Sequence, residues 1–90
     1  MVAHEGESMN YYAYTFMAEC PSDGDQVMYT IEIETSEFIK AEDIRENCDR
    51  GAVYHEELAD DLSRLMPGNQ RLTATHRSVK IITTRNRGGA

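Results

Sequence analysis

One stretch constrains this chain more than any other: Ala52–Met66, AVYHEELADDLSRLM, followed at once by Pro67-Gly68. Val53, Tyr54, Leu58, Leu62, Leu65 and Met66 recur at three- and four-residue steps, which gathers them on one side of an α-helix. Ala59 falls near the same side. His55, Glu56, Glu57, Asp60, Asp61 and Arg64 fall on the other. Pro67-Gly68 stops the helix, because proline cannot continue the backbone ladder and glycine accepts reversed dihedrals. A helix patterned this way must bury its apolar stripe on something, so the rest of the chain has to supply a surface.

Two stretches upstream supply it. Tyr11–Cys20, YYAYTFMAEC, is rich in strand formers; Tyr12, Tyr14, Phe16 and Ala18 share one parity. In Gln26–Thr35, QVMYTIEIET, Val27, Tyr29, Ile31 and Ile33 face one way while Thr30, Glu32 and Glu34 face the other. Pro21-Ser-Asp-Gly-Asp25 between them is a turn, which makes the pair a β-hairpin. Ser36–Gly51 predicts a shorter helix with Phe38, Ala41, Ile44 and Cys48 on one face, starting as late as Ala41 and stopping at Gly51. Asn69–Arg85 is β-branched, with Leu72, Ala74 and His76 in one phase and Val79 and Ile81 in the other. That change of phase at Arg77-Ser78 requires a bulge or a turn, hence one bent strand or a second hairpin.

The order is β-β-α-α-β with room for a further short strand. It predicts a two-layer α+β domain: an antiparallel sheet of three to four strands with helices packed on one face. Residues 11–85 form that domain, 1–10 a polar arm and 86–90 a tail. The 90 residues make one domain, and 40% hydrophobic with 28% charged content is ordinary for a folded chain. No apolar run approaches the roughly 20 residues that cross a bilayer. The N-terminus lacks both the basic start and the apolar core of a secretory signal, so the cytoplasm is the expected location. Cys20 and Cys48 fit neither a CxxC redox pair nor a zinc knuckle and are expected as reduced thiols. A bridge between them requires Cα atoms within roughly 7 Å.

Charge is unevenly divided. Residues 19–61 hold fourteen acids and three bases; from Ser63 onward there are six bases and no acid. The net charge of −7 therefore conceals an acidic body followed by a basic end.

These features decide among functions. Glu56, Glu57, Asp60 and Asp61 crowd one helix face beside His55, but zinc-protease spacing needs a second histidine where Ala59 stands, and Asp23-Gly-Asp25 is too short for a calcium loop. No metal and no cofactor are expected. Cys20, Cys48, Ser63 and the three histidines form no legible set of nucleophile, base and orienting acid, and no GxSxG, GxGxxG or Walker loop occurs. The chain is therefore expected to be a non-enzymatic protein-binding module. Its carboxylate surface would occupy the basic cleft of a partner such as a nucleic-acid-processing enzyme, in the manner of small acidic inhibitors from phages and mobile elements. Glu42, Asp43, Glu46, Asp49, Glu56, Glu57, Asp60 and Asp61 are the contact residues in that case. The alternative is direct nucleic-acid binding: Tyr12, Tyr14 and Phe16 stack bases while Arg71, Arg77, Lys80 and Arg85 neutralise phosphates. Self-association is a third expectation, with the basic last strand of one copy pairing the acidic hairpin of another.

Overall fold

A computed structural model describes residues 8–86. Most of the expected arm and tail lies outside them. The elements run β1 (Asn10–Glu19), β2 (Gln26–Thr35), α1 (Ala41–Cys48), α2 (His55–Leu65), β3 (Asn69–His76) and β4 (Val79–Arg85). The strands form one antiparallel sheet in the order β1-β2-β3-β4, and both helices cover the same face. The α+β class and the helix-on-sheet arrangement are those expected, and residues 69–85 form a second hairpin.

Alternation builds the core. Phe16 and Ala18 of β1, Val27, Tyr29, Ile31 and Ile33 of β2, and Leu72 and Ala74 of β3 are buried on the helix side. Leu58, Ala59 and Leu62 of α2 and Ile44 and Cys48 of α1 close over them. Burying side chains of this size contributes roughly 1.5–3 kcal/mol each before entropy is counted. Gln70, itself buried, donates from Nε2 to the Leu62 and Met66 carbonyls at 3.0 Å each and so ties the end of α2 to β3. Gly68 (φ 93°) allows that passage: a Cβ there would strike the Glu34 carbonyl and lie 2.7 Å from Thr35 Cβ.

Three local expectations need correction. The main helix begins at His55 rather than Ala52, because residues 51–53 run extended beside the end of β1: Glu19 N donates to Gly51 O (2.7 Å) and Val53 N to Glu19 O (3.1 Å). Tyr54 precedes the helix and is exposed, and Leu65 is 54% exposed, while Met66 turns inward in its place. Phe38 is 79% exposed and Ala41 is exposed too; Ile39 fills the core position instead, its amide held by the Tyr12 hydroxyl at 2.9 Å. Apolar spacing identified the inward side of each helix but not the residues where the chain leaves it.

The two hairpin turns lie side by side at one end of the sheet. In the first, Cys20 N donates to Asp25 O and Gly24 N to Cys20 O (both 2.8 Å), and Asp25 N donates to Asp23 Oδ1 at 2.9 Å. In the second, Arg77 (φ 53°) and Ser78 (φ 69°) both adopt left-handed backbone, which matches the twist of a two-residue hairpin but is uphill for side chains with a Cβ. Arg77 reaches across to bond the Asp25 carboxylate and lies 3.6 Å from Asp23. His76, just before it, ends β3.

Candidate active site

At that end of the sheet, where α2 begins, lies a cavity of about 160 Å³. Cys20, His55 and His76 line it, with Tyr29 and Tyr54 as aromatic wall and Val27, Val53 and Ile81 as aliphatic wall. It is small beside the several hundred Å³ of a typical ligand pocket.

Each polar member is positioned by the fold. Cys20 leaves β1 into the first turn and is half-buried. Its sulfur, an Asp23 oxygen and a ring nitrogen of His76 all lie within 4.8 Å of one another. His76 Nε2 stands 3.5 Å from Asp23 Oδ2 and 3.4 Å from Asp25 Oδ2, yet makes no hydrogen bond. His55 opens α2. Its Nε2 shares a hydrogen bond with Thr83 Oγ1 (2.8 Å), its ring stacks on Tyr29 (centroids 5.7 Å apart), and its Nδ1 is buried without a partner. Among the described residues, His55 Nδ1 and His76 Nε2 are the buried side-chain polar atoms that lack hydrogen bonds. Both residues line this one cavity. Buried polar atoms are normally satisfied, so two such atoms on residues of one cavity need an explanation.

Electrostatics separates the groups. Burial lowers the His55 pKa, so the ring is held neutral. The Asp25 amide is the main cause of a lowered Asp23 pKa, and the Arg77 guanidinium does the same for Asp25; both carboxyls stay ionised. Cys48, the other free thiol, is fully buried and its pKa is pushed up to about 12 by desolvation, which leaves it inert.

The sequence-predicted contact residues fall elsewhere. Glu42, Asp43 and Glu46 lie on the outer side of α1 and, with Glu57, have no ion pair among the described residues. Asp49 accepts the Tyr14 hydroxyl at 2.9 Å. Asp61 is held between Arg50 (2.6 Å) and Arg64, and Arg85 bridges Glu56 (3.0 Å) and Asp60 (2.9 Å). Half of the acidic set is thus engaged inside the molecule. The alternative set is divided as well. Tyr12, Tyr14 and Phe16 point under the helices, where Tyr14, Phe16 and Tyr29 stack in succession, so they do not form an open platform. Arg71 pairs Glu32 (2.7 Å), Arg77 pairs Asp25, and Lys80 is exposed on β4. Sequence reasoning missed the cavity itself. The available signal was that Cys20 directly follows the first strand and His76 ends the third, each beside a turn and on the inward parity of a meander.

No protein-family model matches the chain, and no curated protein sequence is matched. Among solved structures it is similar to an archaeosine synthase QueF-Like in the apo form, with TM-score 0.64 over 92% of this chain and 96% of that one. At 19% identity the likeness is one of fold. Among the described residues, no helix is long and apolar enough to cross a membrane.

Proposed function

We propose that the chain is a thiol-dependent enzyme that adds Cys20 to an electrophilic carbon of a small planar heterocycle. One observation carries this: two histidines, each with a buried ring nitrogen that lacks a hydrogen bond, line the same small cavity as a half-buried thiol. The proposal departs from the non-enzymatic module expected from sequence, which had no means of seeing these groups together. That a protein of the same fold is named as a synthase is compatible with an enzymatic reading.

In this reading each group has a role. His76 accepts the thiol proton, with Asp23 and Asp25 stabilising the imidazolium that forms. Sulfur then bonds to an unsaturated carbon of the substrate. The π electrons move to the nitrogen or oxygen attached to that carbon, which takes the proton back from His76. His55 and Tyr29 form the flat wall against which a ring stacks, and His55 Nδ1 offers it a polar contact.

The test is intact-mass and peptide mass spectrometry after incubation with a panel of purine-like heterocycles carrying an electrophilic carbon. An adduct confined to the Cys20 peptide is expected, absent in Cys20→Ala and slowed about 10²-fold or more in His76→Gln. If Cys20 labels no faster than free cysteine at the same pH and no heterocycle adds, the proposal fails.

A second reading concerns a basic protein partner, favoured by the unpaired carboxylates Glu42, Asp43 and Glu46 on α1. Charge reversal at Glu42 and Glu46 should then slow association and remove its salt dependence. An unchanged set of captured proteins counts against it.

A further inference from the structure

We infer that Cys20, Asp23 and His76 also form a binding site for a thiophilic divalent cation, Zn²⁺ in the first instance, and that metal and substrate compete for the same sulfur. This deepens the thiol reading above, since one Sγ serves either as nucleophile or as ligand.

The donor set is a sulfur, an imidazole nitrogen and a carboxylate oxygen, all within 4.8 Å of one another. Tetrahedral zinc places such atoms about 3.5 Å apart, so a contraction on the order of 1 Å closes the site. The first turn is fixed by its own hydrogen bonds, and Asp23 Oδ1 is already held by the Asp25 amide, which leaves Oδ2 for a metal. His76 Nε2, buried and without a hydrogen bond, stands 3.5 Å from Oδ2 of the same carboxylate.

Charge favours the same conclusion. When the thiol is ionised, one thiolate and the carboxylates of Asp23 and Asp25 stand against the single guanidinium of Arg77. A divalent cation neutralises the excess. The mixture of sulfur, nitrogen and oxygen selects Zn²⁺ or Co²⁺ over Mg²⁺ or Ca²⁺. Asp23 is exposed while Cys20 and His76 are half-buried, so the site opens to solvent on one side and keeps a fourth position for water. Binding displaces the thiol proton and must weaken as pH falls.

The experiment titrates reduced, metal-freed protein with Co²⁺ and follows the thiolate-to-metal charge-transfer band. One equivalent should saturate it, Zn²⁺ should erase it, and Mg²⁺ should not. Asp23→Asn and His76→Gln should each weaken binding about tenfold or more. Asp25→Asn, which removes a neighbouring charge but no ligand, should weaken it less, and Cys48→Ala should leave it intact. Zn²⁺ should slow alkylation of Cys20 at least tenfold and a chelator should restore it. Absence of the band, or a band that survives both Asp23→Asn and His76→Gln, overturns the site. Adduct formation with heterocycles is measured separately in chelator, so the metal site and the thiol chemistry stand or fall independently.

Discussion

Gln70 offers the sharpest test of how the helical layer is fastened to the sheet. Its Nε2 donates to two carbonyls in the last turn of α2, those of Leu62 and Met66. Helix ends leave such carbonyls without intrahelical donors. Leu62 O also accepts the Met66 amide at 3.0 Å, so it keeps one partner if Gln70 is lost. Gln70→Met preserves length and removes both donors. The loss at Leu62 is one neutral hydrogen bond, about 0.5–1.5 kcal/mol net, and the stranded Met66 carbonyl adds about 1–3 kcal/mol. Together these come to about 1.5–4.5 kcal/mol. A domain of this length has a stability on the order of 5–13 kcal/mol, so a substantial share is at stake. Urea unfolding followed by circular dichroism should show the midpoint falling with the slope unchanged. On heating, Tm should drop on the order of 10–20 °C. Gln70→Glu, which replaces the donor by an acceptor of the same shape, should cost at least as much. A loss below about 0.5 kcal/mol for Gln70→Met would refute the reasoning.

Other perturbations bear on other joints. Leu62 is fully buried between α2 and the sheet, and Leu62→Ala should cost about 2–5 kcal/mol in the same assay; under about half a kcal/mol would remove it from the core. Ser78 holds a left-handed backbone that glycine adopts freely, so Ser78→Gly should stabilise by about 1 kcal/mol, read as a higher urea midpoint. His55 has a folded-state pKa below its unfolded value, so the unfolded chain binds the extra proton first. Its contribution to stability is complete above the ordinary histidine range and is lost as pH falls through that range towards the folded-state pKa. Stability of the wild type should therefore decline between about pH 7 and pH 5, and His55→Gln should flatten the decline. An identical pH profile in the variant would discard the burial argument for this ring.

Much of the fold could be read from the chain because it rests on local periodicity. The alternation of Val27, Tyr29, Ile31 and Ile33 against Glu32 and Glu34 defines a half-covered strand, and the phase change around Arg77-Ser78 requires the chain to reverse. Helix limits were less legible. Tyr54 and Leu65 fit the apolar stripe by spacing, yet the Glu19–Val53 bond delays the helix and Met66 takes the inward position at its end. The aromatic row was visible as a row, but its direction depends on which face the helices choose. The cavity was invisible for a different reason. Asp25 and Arg77 meet across 52 residues of sequence, and no spacing rule connects them. Only the strand order β1-β2-β3-β4 sets the two turns side by side, and only the extended run at residues 51–53 brings His55 over them.

That arrangement has a kinetic consequence. The first hairpin and α2 can each form from neighbouring residues, but neither possesses the constellation of thiol, carboxylate and imidazole. It comes into existence when β3 docks on β2 across the helical excursion, a late and entropically demanding closure. In a stopped-flow refolding experiment, the faster labelling of Cys20 that the thiol proposal requires should emerge only with the slowest phase, after most of the circular dichroism signal has returned. A truncated first hairpin, however well formed, would carry the same cysteine with ordinary reactivity.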